Sequence, residues 1–260
     1  MTGNDRNRGL MVQPRDMKLL GELAVMRVVD REQAKIVAGF GSTTRANVRL
    51  LALTRAGLLR RYFLGSRKSL YALSEKGAQL AEVRLRGPRR KTDETLVADF
   101  FIEHQLAING VYCALKYGAI PSSGVSFRRW LAFNESITKN VRLIPDGYVE
   151  LSTPRETLAA FLEIDLGHER GPVWKEKAKN YIALALSGDF EKHFSHKQFR
   201  VLVLANSERR MHSLRKIVRS ITQKIFWFAT LAAIRDRGFS AAVWYRPTGE
   251  TPTQLIAEHL

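Results

Sequence analysis

The chain has 260 residues, is 45% hydrophobic, and carries 42 Lys+Arg against 25 Asp+Glu, for a formal net charge of +17. Its single cysteine, Cys113, excludes a disulfide framework, and its longest apolar stretch, residues 225–234, is far shorter than the ~20 residues of a membrane span. No charged-then-apolar leader opens the chain, so we expect a cytoplasmic protein of one or two domains with no membrane partner.

The positive charge is concentrated in the N-terminal third. Residues 1–90 contain 19 basic and 7 acidic residues, whereas residues 91–260 contain 23 and 18. A segment with such an excess of basic residues indicates a polyanionic partner, DNA or RNA.

The sequence predicts three helices within residues 15–54. Residues 15–26 carry apolar residues at helical spacing. Asp30 is a suitable N-cap for a short helix through Val37, and Ser42 for a third helix from Thr43 to about Thr54. Three apolar residues of the third helix should face inward: Ala46, Leu50 and Leu53. On its outer surface Arg45 and Arg49 share one face, with Asn47 close by.

A β-hairpin should follow the third helix. Residues 57–73 form two short β-prone runs around a Gly-Ser-Arg-Lys tip at residues 65–68, and Ser74 begins another helix. Three helices followed by a basic hairpin form the layout of a winged helix-turn-helix. Residues 57–77, GLLRRYFLGSRKSLYALSEKG, closely resemble the wing of bacterial winged-helix regulators.

This resemblance implies that double-stranded DNA is a partner, with the third helix in the major groove and the wing along the phosphates. It makes Arg45, Asn47 and Arg49 readers of bases or backbone, and Arg67 and Lys68 phosphate contacts. It is also compatible with a homodimer, since such modules usually read paired half-sites. Two other interpretations stay open: the charges are merely solvated, or the module binds another protein.

A charged segment with Gly and Pro, residues 84–93, is the expected domain boundary, giving domains at 10–84 and 94–245. Its arginines either keep the linker solvated or extend a phosphate-contacting surface. In the second domain we predict a long helix over 93–117 and strands at 125–133, 141–151 and 159–167. A helix over 173–186, a strand at 200–204, a helix over 208–222 and a strand at 225–228 should follow. This order predicts a mixed α/β sheet.

Acidic residues interrupt two of these predicted strands. Glu163 and Asp165 alternate with Leu162, Ile164 and Leu166, so the two carboxylates share one face of the strand. Buried ionised groups are costly unless they are paired or bind a metal. If Asp146 lies on the neighbouring strand, the three carboxylates converge on a site suited to Mg²⁺ or Mn²⁺.

The order of helices and strands along the chain, the Pro145-Asp146 pair and the Glu163-x-Asp165 motif resemble the PD-(D/E)xK nuclease superfamily over residues 94–230. The resemblance implies a metal held by Asp146 and Glu163, with Asp165 standing where the family has lysine. Lys177, which shares a helical face with Tyr181, is the candidate for the missing lysine. Three interpretations stay open: an active metal site, a degenerate nuclease fold kept for DNA binding, and carboxylates that pair with Arg142 or Lys177 to stabilise the sheet.

The whole-chain pattern also resembles the plasmid replication-relaxation family of bacterial mobile elements. The residues that carry this resemblance are the winged helix, 104–109 (HQLAIN), 143–146 (LIPD), 161–165 (FLEID) and the Lys177/Tyr181 helix. It implies an α+β protein acting in replication, relaxation or mobilisation, with replication or mobilisation proteins of the element as possible partners. We expect a metal-dependent DNA endonuclease; the alternative is a non-catalytic DNA-binding regulator or replication accessory protein.

Overall fold

The structure, a computed structural model, describes residues 10–65, 68–86, 97–118, 124–139 and 141–256, without the side chains of residues 97–99. The fold mixes helices and strands and divides into two compact units, Met1–Cys113 and Ala114–Leu260. No helix among the described residues is both long and apolar enough to cross a bilayer.

The described residues of the first unit that precede residue 97 form four helices and a three-stranded antiparallel sheet. In chain order these are α1 (Pro14–Met26), β1 (Val28–Asp30), α2 (Arg31–Ala38), α3 (Thr43–Arg55), β2 (Leu59–Leu64), β3 (Lys68–Leu73) and α4 (Glu75–Leu80). The sheet order is β1-β3-β2. The predicted helices and hairpin are present, and β1 is an additional strand that pairs with the hairpin and was not predicted.

Local capping explains where these helices begin. The Asp30 side chain accepts a hydrogen bond from Gln33 N at 2.9 Å, and Ser42 Oγ accepts one from Arg45 N at 3.2 Å. Each cap satisfies an amide that a helix leaves without a partner. Both N-caps were predicted from the sequence, and so were the inward positions of α3, which are fully buried: Ala46, Leu50 and Leu53.

The division between the units falls within α5 (Val97–Tyr117). Most of residues 84–93, the expected domain boundary, lie outside the described residues. Asn109 Nδ2 on α5 donates to the carbonyl oxygens of Met26 and Val28, at 3.0 and 2.6 Å. Gln33 Nε2 donates to Leu106 O at 2.8 Å. Because these buried polar contacts satisfy groups of the first unit, most of the length of α5 packs as part of it.

The second unit is built on a five-stranded sheet. Its elements after α5 are β4 (Ser126–Leu131), β5 (Gly147–Ser152), β6 (Thr157–Asp165), α6 (Gly171–Ser187), α7 (Asp189–Phe194), β7 (Arg200–Ala205), α8 (Glu208–Arg219), β8 (Phe226–Thr230) and α9 (Leu231–Arg237). The strand order is β4-β5-β6-β7-β8, antiparallel from β4 to β6 and parallel from β6 to β8. The predicted order of helices and strands is confirmed, with α7 and α9 as additions.

One face of this sheet packs against α6 and α8. Phe161 of β6 lies in a buried cluster with Tyr181 of α6 and Leu214 of α8. Side chains two residues apart on a strand point to the same side, so Glu163 and Asp165 continue this face towards the end of β6. The sheet therefore presents two carboxylates to the helical layer, where they must find partners.

Candidate functional site

The first of the predicted acidic residues, Asp146, lies immediately before β5 and beside β6. Its backbone N–H donates to Leu162 O at 3.1 Å, and its Oδ2 accepts from Ile164 N at 2.7 Å. A Cβ at the following Gly147 would lie 2.5 Å from the Trp130 ring, so glycine is needed for β4 to pack here. Asp146 thus lies next to the strand that carries Glu163, which was the condition for the expected convergence of carboxylates.

Glu163 is buried, with 1% of its surface exposed, and both oxygens have donors. Lys177 Nζ lies 2.8 Å from Oε2, and the Tyr181 hydroxyl donates to Oε1 at 2.6 Å. Burial raises the pKa of Glu163 to about 7; Lys177 lowers it, and the nearby charge of Asp146 raises it. Lys177, one of the two cations that the sequence analysis left open as partners of these carboxylates, is therefore paired with Glu163.

Lys177 is shared between several carboxylates. Its Nζ also lies 2.8 Å from Glu169 Oε1, and 5.1 Å from the centre of the Trp174 ring. Burial lowers the pKa of Lys177, but the charges of Glu163, Glu169 and Asp146 outweigh burial and raise it above its usual value. Lys177 is consequently a fixed positive charge at neutral pH. The charge of Asp146 adds to burial in raising the pKa of Glu163, whereas Lys177 lowers it.

Asp165 has a separate set of partners. Arg210 on α8 holds it in two places, from Nε to Oδ1 at 2.7 Å and from Nη2 to Oδ2 at 2.8 Å. Trp174 Nε1 donates to Oδ2 and Gly167 N to Oδ1, each at 2.7 Å. Burial raises the pKa of Asp165, but these hydrogen bonds outweigh burial and lower it below its usual range. Such a bidentate pair is among the strongest hydrogen-bonded arrangements in proteins.

The described residues therefore do not form the predicted three-carboxylate metal site. No group of three His, Cys, Asp or Glu side chains in the described part of the chain is arranged to hold a metal ion. Asp165 is instead paired with the guanidinium of Arg210, with Nε 2.7 Å from Oδ1. Asp146 and Glu163 remain as two hard-oxygen donors, a partial fit for Mg²⁺ or Mn²⁺.

The predicted DNA-reading residues of α3 fall into two groups. Arg45 and Asn47 are exposed on the outer surface of the helix. Arg49 instead packs against α1, where Nε donates to Asp16 Oδ1 at 2.9 Å and Nη2 donates to both Asp16 Oδ2 and Met11 O. Asp16 is fully buried, so Arg49 neutralises it and holds α3 against α1.

A cavity of about 370 Å³ lies between the start of α2, α3 and the hairpin. Its lining residues are mostly polar or charged: Asp30, Arg31, Glu32, Asn47, Leu51, Arg61, Lys68, Ser69 and Tyr71. Lys68 Nζ lies 2.8 Å from Asp30 Oδ2, and Arg67 lies outside the described residues. Asn47 and Lys68, two of the residues expected to contact DNA, both line this cavity.

Arg61 is a residue of this surface that the sequence analysis did not single out. Its Nη2 donates to Ser69 Oγ at 2.6 Å, and its guanidinium lies 4.7 Å from the centre of the Phe63 ring. The alternation of Arg61 and Phe63 along β2 was the available signal, because side chains two apart on a strand share a face. Two partners hold this arginine in place on the hairpin.

A family model described as replication-relaxation matches residues 17–199 of the chain, which includes α3, the hairpin, Asp146, Glu163 and Lys177. No curated protein and no solved structure matches the chain.

Proposed function

Because the chain belongs to the replication-relaxation family, we propose that it binds duplex DNA during the replication or mobilisation of a plasmid or related mobile element. Membership of the family suggests the biological setting. The observation that carries DNA binding is the exposed surface of α3, which presents Arg45 and Asn47. Asn47 also lines the cavity, together with three basic side chains, Arg31, Arg61 and Lys68, and two acidic ones, Asp30 and Glu32.

The element order of the first unit supports a winged helix-turn-helix. Along the chain the elements are a helix, a strand, two helices and a hairpin. The first strand pairs with the hairpin, which gives the sheet order β1-β3-β2. In this arrangement α3 enters the major groove and the hairpin follows the phosphates. Asn47 then offers the amide that pairs with adenine edges, and Arg45 the guanidinium that pairs with guanine.

The remaining basic residues divide between positioning and phosphate contact. Arg49 holds α3 through Asp16 and so orients the reading helix. Arg61 and Lys68, on the two strands of the hairpin, supply positive charge to the backbone of the DNA. The excess of 19 basic over 7 acidic residues in 1–90 supports a large electrostatic contribution to the affinity.

A binding experiment tests this proposal. Sequences selected from a random duplex pool by the wild-type protein provide a labelled probe for fluorescence anisotropy. Arg45→Ala/Asn47→Ala should weaken binding of the probe by about 1–3 kcal/mol per lost base contact. Arg237→Ala, which removes an exposed positive charge from the second unit, is the matched control. Equal affinity of the α3 variant, the control and the wild type would refute the proposal.

A second candidate function, metal-dependent cleavage of the bound DNA, is supported by the contact of Lys177 with Glu163 at 2.8 Å beside Asp146. Asp146 and Glu163 are the residues that would hold Mg²⁺ or Mn²⁺, and a bound metal would supply an activated water and neutralise phosphate charge. Lys177 would add a fixed positive charge next to the reacting phosphate. Asp165 has no direct part in this proposal. Its ion pair with Arg210 stabilises the end of β6 against α8.

Nicking of supercoiled plasmid in Mg²⁺ or Mn²⁺ separates the two candidates. Loss of nicking in both Asp146→Asn and Glu163→Gln, with duplex binding retained, would establish cleavage. Binding without nicking by the wild-type protein would leave a non-catalytic DNA-binding protein, which is the function that the geometry supports best.

A further inference from the structure

Two consecutive arginines of the edge strand β4 flank one buried carboxylate of β5. The register of the pair shifts between Phe127 and Arg129, which leaves Arg128 as an extra residue in β4. Arg129 pairs with Glu150, whose residue is only 3% exposed. A bulge lets neighbouring side chains point the same way, although strand geometry would normally place them on opposite faces.

Both arginines use this geometry to reach Glu150. Arg129 Nη1 lies 3.3 Å from Glu150 Oε1, and Arg128 Nε lies 3.8 Å from Oε2. Arg128 Nη1 also donates to Thr157 Oγ1 on β6 at 3.0 Å. These contacts fix the position of two guanidinium groups that could otherwise sample many conformations.

Further groups complete the surroundings of the carboxylate. His196, which follows α7, places Nε2 3.3 Å from Glu150 Oε1, and the Tyr148 hydroxyl donates to the same oxygen at 3.0 Å. A single arginine would suffice to neutralise one carboxylate. Two arginines therefore leave the cluster with a net positive charge.

The positive charge faces solvent. The side chains of Arg128 and Arg129 are 57% and 46% exposed, whereas the carboxylate that holds them is buried. β4 is the outermost strand of its sheet, so an extended polyanion can approach along it. A guanidinium held at one edge can still present its other N–H groups to a phosphate oxygen.

We infer that Arg128 and Arg129, with His196 beside them, form a second DNA-binding site that contacts a phosphodiester group, and that Glu150 positions the two arginines. This inference rests on the proposed duplex binding but assigns a separate contact to the second unit. The contact does not depend on base sequence, because a phosphate carries no sequence information. It adds to whatever sequence preference α3 supplies.

The salt dependence of duplex binding tests this site. Each phosphate contact contributes about 0.9 to the slope of log K against log salt. For the full chain with a labelled random-sequence duplex, Arg128→Gln/Arg129→Gln should reduce the magnitude of the slope by about 1 to 2. The matched control, Arg235→Gln/Arg237→Gln, removes the same charge from exposed positions of α9 and should leave the slope near its wild-type value.

A compensated variant separates contact from stability. Arg128→Gln/Arg129→Gln leaves Glu150 buried without its arginines and is expected to lower the melting temperature. Arg128→Gln/Arg129→Gln/Glu150→Gln removes the buried charge as well, so its melting temperature should lie nearer the wild-type value while the slope remains reduced. A wild-type slope in a folded compensated variant, or an equal reduction in the α9 control, overturns the site.

The same titrations distinguish this site from the proposed function of the first unit. Suppose that Arg45→Ala/Asn47→Ala binds like the wild type while the variants of Arg128 and Arg129 show a smaller slope of log K against log salt. The proposal that α3 contacts bases is then refuted, and the proposed phosphate contact of β4 is supported. If the α3 variant loses affinity for selected sequences and the β4 variants do not differ from their control, the β4 site fails alone. A wild-type protein that binds no duplex overturns both.

Discussion

Replacement of Arg210 by methionine tests how the end of β6 is held. The Asp165 side chain is 0% exposed, and both of its oxygens accept hydrogen bonds from Arg210. The variant leaves a buried carboxylate with Trp174 Nε1 and Gly167 N–H as its remaining described donors. Removal of one partner of a buried ion pair costs about 3–5 kcal/mol, because the other charge stays buried without compensation.

We therefore expect the free energy of unfolding of the second unit to fall by about 3–5 kcal/mol in Arg210→Met. At about 2–4 °C per kcal/mol for a domain of this size, the melting temperature should fall by roughly 6–20 °C. Thermal unfolding followed by circular dichroism measures this change. Arg209→Met, at the adjacent exposed position of α8, is the control and should shift the melting temperature by only a few degrees.

A double variant makes the interpretation specific. Asp165→Leu/Arg210→Met removes both charges, and replacement of a whole buried pair by apolar residues is often neutral or stabilising. It should recover most of the stability that Arg210→Met loses. A loss below about 1 kcal/mol in the single variant, or a double variant less stable than the single one, would refute the bracing role of this pair.

Three further predictions concern the other buried charges. Arg49→Met leaves the fully buried Asp16 without its guanidinium partner. Urea denaturation should therefore show that the free energy of unfolding of the first unit falls by about 3 kcal/mol or more. A fall below about 1 kcal/mol would refute this role of Arg49. The raised pKa of Glu163 means that the folded chain holds a proton which the unfolded chain releases, so stability should fall as pH rises from about 4.5 to about 7. Glu163→Gln should abolish that slope, and parallel pH profiles of variant and wild type would contradict it. Lys177→Met removes the cation that lowers the pKa of Glu163, so the pKa of Glu163 should rise further. ¹³C NMR of the labelled Glu163 carboxyl group measures this pKa, and an unchanged titration curve argues against the pairing.

Local signals explain what the sequence predicted well. Asp30 and Ser42 were recognisable as N-caps because a capping side chain acts on an amide only three residues away. The shared helical face of Lys177 and Tyr181 followed from their four-residue spacing, and both side chains contact Glu163. The short strand β1 was missed, since three residues carry too little periodicity to indicate a strand.

The partners that decide the role of each charge come from distant parts of the chain. Asp165 meets Arg210 across 45 residues, and Asp16 meets Arg49 across 33. Sequence patterns identify which residues are charged and which face they share, but not which distant side chain will pack against them. This is why Asp165 was expected at a metal and Arg49 at DNA. The bulge that lets the side chains of Arg128 and Arg129 both reach Glu150 likewise depends on the register between β4 and β5.

The central claim, that α3 lies against duplex DNA, can be tested by site-directed photocross-linking. Cys113 is buried, so Asn47→Cys introduces an exposed thiol for an aryl-azide cross-linker at the centre of the proposed interface. We predict light-dependent cross-links to labelled duplex from this position and none from Arg237→Cys, an exposed control position on α9. Equal cross-linking from both positions, or none from Asn47→Cys when anisotropy shows bound DNA, would contradict the claim.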